Sequence, residues 1–412
     1  MSEKSKNNTK DFIWNAIGLS LNAFNSLFFL IVVRFINGLD IAGVFTYTFA
    51  LCIFLYTFLL YYNRSFQVSD VKGKFSFSSY LSCRAVTSVL GLAAILIFAL
   101  VNQFSSFEIG VVMLLAGFRI VEAISDCFYG AIQKKDKLYQ TGISLSLKAI
   151  FGLLCFALVD WLTKDLLLAL VALILINLLF FFFYDLSNYR KLYTDKIKLQ
   201  FSHLKPIFKS CLPVLIFSAL AIYLSNCQKY VLPYFESDSI QAIFGILIMP
   251  ATLLSLIGAY LINPFINSFT KYHIQKNYAK FISSAKKLLS FMSIIGIAVL
   301  IACFFIGIPI LELIFQLDLS VYQMPFELII LASIFYATAM IISSMLTILG
   351  ENRRQTYIYL IASIVATVVA ILLIPTSGIL GAIYSFLISS FVLIVPYITL
   401  LQLKLHKAKH VK

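Results

Sequence analysis

Twelve apolar runs, each long enough to cross a bilayer as a helix, follow one another along this chain of 412 residues. A membrane-spanning helix needs about 20 predominantly apolar residues. The sequence is 61% hydrophobic and only 12% charged, whereas roughly 25% of the residues of a soluble domain are charged. It therefore predicts an all-α, polytopic membrane protein. The runs lie at about 12–33, 41–62, 81–102, 107–130, 142–161, 166–185, 211–231, 241–267, 288–310, 327–349, 357–374 and 379–401.

The distribution of the basic residues predicts the topology. With the N-terminus in the cytosol, 27 of the 32 Lys and Arg residues fall on the cytosolic side, two fall outside and three lie within spans. Such an asymmetry indicates a multi-pass membrane protein with both termini in the cytosol, and we expect it in the plasma membrane. The positive-inside topology and contacts with anionic membrane lipids explain the net charge of +14. We therefore expect no nucleic-acid partner.

The longest cytosolic connection divides the spans into six and six. The predicted domains are an N-terminal lobe at 1–190, a basic linker at 191–210 and a C-terminal lobe at 211–412, which includes a cytosolic tail. The halves also resemble each other, because a glycine, a basic turn and Gln-Thr lead into the fifth span at Gln140 and into the eleventh at Gln355. This spacing indicates two parallel six-helix repeats.

Three ionisable residues lie in the fourth apolar run. Arg119 is the thirteenth of the 24 residues from Phe107 to Gly130, so a helix would hold it near the membrane midplane, where a charge costs about 2.5–3.5 kcal/mol even on lenient scales. At 100° per residue, Glu122 and Asp126 point to the same side as Arg119. That side must therefore face protein or water, not lipid.

Two interpretations of these charges stay open. In the structural one, Arg119 pairs with Glu122 one turn away, and Lys148 of the fifth span neutralises Asp126 or Glu122 across a helical hairpin. In the functional one, Arg119 and Lys148 bind an anion, or the carboxylates couple transport to protons because burial shifts their pKa values.

A polar stripe runs along the first span. Asn15, Gly18, Asn22, Asn25 and Ser26 fall within about 100° of arc on a helix placed in lipid. Amides in that setting need partners. They either bond neighbouring helices or line a wet cavity that offers donors and acceptors to a polar ligand.

Each half begins with a span that carries a cation near its outer end. These cations are Arg34 in the first span and Lys229 in the seventh, where Asn226 lies close by. Each either extends to the membrane surface or, as a matched pair, meets an anionic ligand between the halves.

The sequence contains no recognisable catalytic or cofactor motif. The four histidines lie in cytosolic segments without a partner at metal-ligand spacing, and there is no glycine-rich phosphate loop. We therefore expect no catalytic residue, no metal and no cofactor. An enzyme of surface-glycan assembly is a distant third hypothesis.

Several short motifs together resemble the Wzx-type polysaccharide flippases of the multidrug/oligosaccharidyl-lipid/polysaccharide exporter superfamily. The resemblance covers essentially the whole chain. The motifs are Trp14-Asn15-x-x-Gly18, Arg34-Phe-Ile-Asn-Gly38, Ala42-Gly43, Arg64-x-Phe-Gln67-x-x-Asp70, Tyr129-Gly130-x-x-Gln133-Lys134-Lys135, Leu212-Pro213 and Ile374-Pro375-x-x-Gly378-Ile-x-Gly381-Ala382.

The resemblance implies a V-shaped, MATE-like transporter of about twelve transmembrane helices in two six-helix lobes. Its substrate would be an undecaprenyl-diphosphate-linked oligosaccharide moved by alternating access, and polysaccharide polymerases and glycosyltransferases would be its partners. In such cavities cations meet the diphosphate and amides meet the glycan. The candidates are Arg34, Arg119, Lys148 and Lys229 for the first role and Asn15, Asn22, Asn25 and Asn226 for the second.

The alternative is a cation-coupled multidrug antiporter of the same fold. Multidrug members of the superfamily usually rely on acidic residues in the first half, and Glu122 and Asp126 fit that role. The related lipid II flippases usually carry two further spans, which this sequence lacks.

Overall fold

The computed structural model describes residues 3–70, 73–194 and 196–410. The chain is 89% helical, with no strand in the described parts, which confirms the predicted all-α fold. Two compact units form, Met1–Ala219 and Leu220–Lys412. The boundary between these units lies inside a helix, Leu204–Val231. The predicted lobes and the basic linker at 191–210 stay predictions.

The first unit is built from eight helices and the beginning of a ninth. A five-residue π-helical turn, Phe181–Asp185, joins the seventh helix to the eighth. The helices are α1 (Glu3–Asn37), α2 (Leu39–Leu60), α3 (Asn63–Ser69), α4 (Phe77–Val101), α5 (Ser106–Gln133), α6 (Leu138–Thr163), α7 (Leu166–Phe180), α8 (Leu186–Leu192) and α9 (Leu204–Val231).

The second unit contains the end of α9 and seven further helices. A second π-helical turn, Cys303–Gly307, separates two of them. The helices are α10 (Asp238–Leu247), α11 (Met249–Ile274), α12 (Tyr278–Ala302), α13 (Ile308–Phe315), α14 (Gln323–Ile348), α15 (Asn352–Ser377) and α16 (Ile379–His410).

Eleven helical segments of the described chain are long and apolar enough to cross a membrane. The helix α5 has 28 residues, a comparable length, but it carries Arg119, Glu122 and Asp126 in its central and C-terminal parts. These charges alone set it apart from the other spans. Together with α5, these eleven segments correspond to the twelve apolar runs that the sequence predicts as spans. The chain is a multi-pass membrane protein.

The fourth long helix has corresponding packing partners in the two units. In the first, the fourth long helix, α5, packs against α2, α4 and α7. In the second, the corresponding helix, α14, packs against α11, α12 and α16. These partners occupy the same places in the order of the six spans, as expected for parallel repeats.

The helices α1 and α6 touch backbone to backbone. A Cβ atom added to Gly142 would lie 2.2 Å from the carbonyl oxygen of Trp14, and one added to Gly18 would lie 2.4 Å from the carbonyl oxygen of Gly142. Small residues permit such close approach of membrane helices. The glycine in the polar stripe of α1 therefore serves helix packing.

Large apolar side chains cover the outside of both units. Val101, Phe183 and Leu313 are 74%, 76% and 80% exposed, which would be costly in water but suits a lipid environment. Many polar side chains are buried instead, and the first unit holds the charged ones that are paired deep in the bundle.

Candidate functional site

The helix α5 carries the charged cluster through the middle of the first unit. It begins with a capping box, in which Ser105 accepts from the backbone of Glu108 and the Glu108 carboxylate accepts from the backbone of Ser105. Reciprocal caps of this kind fix where a helix starts. Because α5 is surrounded by α2, α4, α6 and α7, its polar face meets protein on several sides.

Arg119 and Glu122 form a short ion pair. Nη1 of the guanidinium lies 2.6 Å from a Glu122 carboxylate oxygen, and each side chain is 11% exposed. The spacing of three residues predicts this contact. Arg119 also lies against three aromatic rings, with its central carbon 4.8 Å from the ring centre of Phe49, 5.3 Å from Tyr56 and 5.2 Å from Phe118.

The Arg119 side chain borders a cavity inside the first unit. The cavity has a volume of about 170 Å³. Its walls combine one cation, two amides, a hydroxyl and three phenylalanine rings. The lining residues are Asn22, Ala23, Asn25, Ser26, Phe29, Phe49, Ile53, Phe118 and Arg119.

Some residues of the polar stripe on α1 line the cavity, and others pack against a neighbouring helix. Asn25 lines the cavity, and its Nδ2 also donates to the carbonyl oxygen of Ala149 on α6 at 3.2 Å. Asn22 lines the cavity one turn away. Asn15 instead lies where α1 meets α6, because its backbone nitrogen is 2.5 Å from a Cβ built on Gly142.

Asp126 is the centre of a separate ion cluster. Its two carboxylate oxygens accept from Arg64 at 3.1 Å and from Arg84 at 3.0 Å. The Arg84 side chain is fully buried and also donates to the carbonyl oxygen of Leu59. Arg64 lies on α3 and Arg84 on α4, and the sequence alone did not predict that either would reach Asp126.

Lys148 pairs with Asp185, and the expected pairing with Asp126 or Glu122 is wrong. Its ammonium lies 2.5 Å from Asp185 Oδ2 and also donates to the hydroxyls of Ser125 at 2.6 Å and Tyr129 at 3.2 Å. The π-helical turn ends at Asp185 and brings this carboxylate to α6. A prediction based only on the α5–α6 hairpin could not find Asp185, because this residue follows α7.

Two of the sequence motifs, the one that begins at Arg64 and the one that begins at Tyr129, contact each other at the C-terminal end of α5. Arg64 and Gln67 of α3 reach this helix, because Arg64 donates to Gln133 at 3.0 and 3.2 Å and Gln67 donates to the carbonyl oxygen of Cys127 at 3.2 Å. Gly130 leaves room for the Gln67 amide, whose oxygen is 2.5 Å from an added Cβ. These motif residues therefore fasten α3 to α5.

Two partly unsatisfied groups lie at the far end of α1. Asp160 of α6 is fully buried, and only Oδ1 accepts a bond, from Asn37 Nδ2 at 3.1 Å. Asp160 Oδ2, Asn37 Oδ1 and Arg34 Nε are buried without a hydrogen-bond partner in the described chain. Asp160 was not predicted as a site residue, since a carboxylate at the end of an apolar run is typical of a loop.

The second unit places Lys229 and Asn226 on the last turns of α9. The Asn226 amide donates to Ser225 and to the carbonyl oxygen of Ile222 at 3.0 and 3.1 Å. Lys229 is half-buried and forms no ion pair with any residue that the structure describes. Around it the bonds are neutral, for example Gln228 to Ser385 at 3.3 Å.

Solved structures define the class of fold. The lipid II flippase MurJ in an inward closed conformation matches with a TM-score of 0.72 and 14% identity, over 97% of this chain and 89% of that one. A MATE transporter in complex with MaD5 matches with a TM-score of 0.65 and 15% identity, over 99% and 97%. The chain therefore has the transporter fold that MATE proteins and MurJ share.

One relative of known process is similar along nearly the whole chain. The capsular polysaccharide biosynthesis protein CapF of Staphylococcus aureus is 22% identical over 392 residues, which are 94% of this chain and 98% of CapF. No protein-family model matches the chain.

Proposed function

We propose that this protein is a flippase that moves undecaprenyl-diphosphate-linked oligosaccharide units across the cytoplasmic membrane for export of a surface polysaccharide. The transporter fold shared with MurJ and the similarity to CapF support this proposal. The protein would work by alternating access, with both termini in the cytosol as the basic residues predict. Polysaccharide polymerases and glycosyltransferases would be its functional partners.

The observation that carries the proposal is the cavity beside Arg119. A charged group within a membrane bundle is costly, and the charges that occur there are paired with other groups or mark functional sites. Arg119 has one carboxylate partner, Glu122, yet it also borders a cavity together with Asn22 and Asn25. A guanidinium beside amides suits a ligand that is both anionic and rich in hydroxyl groups, as a charged glycan is.

The other candidate cations divide according to their partners. Lys148 is 7% exposed and bound to Asp185 and two hydroxyls, so we propose a structural role for it instead of a substrate contact. Arg34 and Lys229 remain proposed contacts of the diphosphate, and Asn226 a proposed contact of the glycan. Asn15 is proposed to position α1 against α6.

A deletion strain tests the proposal. Loss of the gene should leave lipid-linked oligosaccharide on the inner leaflet and remove the surface polymer, and a plasmid copy should restore both. An intact polymer in the deletion strain would contradict the proposal. A catalytically inactive glycosyltransferase strain is the control, because it loses the polymer without accumulating the complete lipid-linked unit.

A cation-coupled multidrug antiporter is the second candidate, and Asp160 is the observation in its favour. Its unpartnered Oδ2 and the unpartnered Oδ1 of Asn37 are two buried acceptors, which a proton or a small cation would satisfy. Glu122 and Asp126 favour this function less, because arginines already neutralise them. New sensitivity of the deletion strain to dyes and antibiotics, together with normal polymer, would support the antiporter.

A further inference from the structure

The geometry points to the cavity beside Arg119 as a pocket for a single sugar ring that carries a carboxylate. This inference rests on the proposed function, and it specifies which part of the substrate the first unit recognises. The pocket would distinguish acidic from neutral glycans, whereas the diphosphate, common to all such substrates, would be bound elsewhere.

The size of the cavity limits what it holds. Its volume of about 170 Å³ is well above the roughly 10–15 Å³ that a single water molecule needs on the same measure. Pockets for drug-sized ligands measure about 300–1,000 Å³. The cavity therefore suits one ring with its substituent and is too small for a whole oligosaccharide unit.

The walls have the chemistry of a carbohydrate site. The rings of Phe29, Phe49 and Phe118 offer apolar faces, against which the C–H face of a sugar ring packs. The amides of Asn22 and Asn25 offer donors and acceptors to sugar hydroxyls. A phosphate group has no apolar face to pack against three aromatic rings, so the lining residues favour a sugar.

The charged residues at the cavity favour a ligand with a single negative charge. Arg119 is the one cation among the lining residues, and Glu122 already lies 2.6 Å from it. A diphosphate would bring two or more negative charges next to that carboxylate and would need further cations. The other ion-paired cations in the described part of this unit, Arg64, Arg84 and Lys148, are held by Asp126 and Asp185.

Arg119 keeps donors for a ligand. A guanidinium has five N–H groups, and the bond to Glu122 uses Nη1. The rings of Phe49, Tyr56 and Phe118 hold the guanidinium in place, so a planar carboxylate would meet a preorganised planar partner.

Paired substrates test the inference. One probe is an undecaprenyl-diphosphate-linked disaccharide with a hexuronic acid residue, and the other is the same molecule with that carboxyl reduced to an alcohol. Both keep the diphosphate. The wild-type protein in proteoliposomes should move the acidic probe about tenfold or more faster than the reduced one, since a hydrogen bond to a charged group is worth about that factor.

The double variant Arg119→Gln with Glu122→Gln removes the charge without leaving a buried carboxylate unpaired. It should move both probes at the rate of the reduced one. The matched control, Lys148→Gln with Asp185→Asn, neutralises another buried pair outside the cavity and should keep the preference. Loss of preference in the control would overturn the inference.

The outcomes separate the inference from the proposed function. Equal rates for the two probes in the wild type, with both slowed alike in the double variant, would leave the flippase intact and overturn the sugar pocket in favour of a diphosphate contact. Movement of neither probe by the wild type would contradict the proposed function itself and the inference with it.

Discussion

The Lys148 ammonium lies 2.5 Å from a carboxylate oxygen of Asp185, and the two side chains are only 7% and 1% exposed. Removing one partner of such a buried pair leaves an uncompensated charge and costs about 3–5 kcal/mol. We therefore expect Lys148→Met to lower the unfolding temperature in detergent strongly. The double variant with Asp185→Leu should recover most of the loss, because a well-packed apolar pair often replaces a buried ion pair without penalty.

The same variant distinguishes a structural role of Lys148 from a contact with the substrate. Thermal unfolding followed by size-exclusion chromatography measures the stability, and polymer export measures the activity. A Lys148→Met protein of wild-type stability that exports nothing would return Lys148 to the binding site.

The contact between α1 and α6 should tolerate no added methyl group at Gly142. A Cβ atom there would lie 2.2 Å from the backbone oxygen of Trp14, so the helices would have to separate. We expect Gly142→Ala to destabilise the protein by about 1–3 kcal/mol, the usual cost of overpacking. Gly117→Ala is the control, because its nearest neighbour, Ile174, is at 3.4 Å. Equal stability of the two variants would contradict the close packing.

Asp70 should make the α3–α4 connection sensitive to acid. Partial burial raises the pKa of Asp70, but bonds from the amides of Phe75 and Lys74 and from the Tyr80 hydroxyl, with the charge of Lys134, outweigh it and hold the pKa below its usual value. A depressed carboxyl pKa stabilises the folded state above the unfolded pKa of about 4 and loses this contribution as the pH falls through the folded value.

The comparison of wild type with Asp70→Asn measures this contribution. The difference in unfolding temperature should be constant at neutral pH and should shrink below about pH 4. A difference that persists unchanged at lower pH would mean that the carboxylate charge of Asp70 is not what stabilises the connection.

Lys229→Ala should reduce polymer export while the amount of protein in the membrane holds. Lys229 has no ion pair in the described chain, so its removal leaves no carboxylate unpaired. Lys229→Arg keeps the charge and should retain most of the export. Disappearance of the Lys229→Ala protein from the membrane would instead assign the residue a structural role. Quantitative blotting and a capsule assay provide the two measurements.

Local sequence patterns predicted the helices and the contacts within one helix. Apolar runs are set by bilayer thickness, and the pair of Arg119 and Glu122 follows from helical spacing alone. The partners of Asp126 and Lys148 could not be predicted in this way. Arg84 reaches Asp126 from α4, and Asp185 reaches Lys148 through a π-helical turn. Both contacts depend on how helices pack, which no spacing along the chain encodes.

The candidate site shows the same division. The polar stripe and the midplane arginine indicated a polar interior, but the cavity that joins Asn22 and Asn25 to Arg119 depends on the packing of α1, α2 and α5 around it. The sequence motifs at Gln67 and Gly130 form a packing contact between α3 and α5 and not a binding site. Side-chain volume and helix orientation decide these roles.

The most direct test of the account is a leaflet-resolved assay of lipid-linked oligosaccharide in proteoliposomes that contain only this protein. The wild type should move the undecaprenyl-diphosphate-linked saccharide between leaflets well above empty liposomes, and the double variant Arg119→Gln with Glu122→Gln should be markedly slower on an acidic saccharide. Proteoliposomes that leave the saccharide in place, yet export a cationic dye when an ion gradient is applied, would contradict the flippase and establish the antiporter.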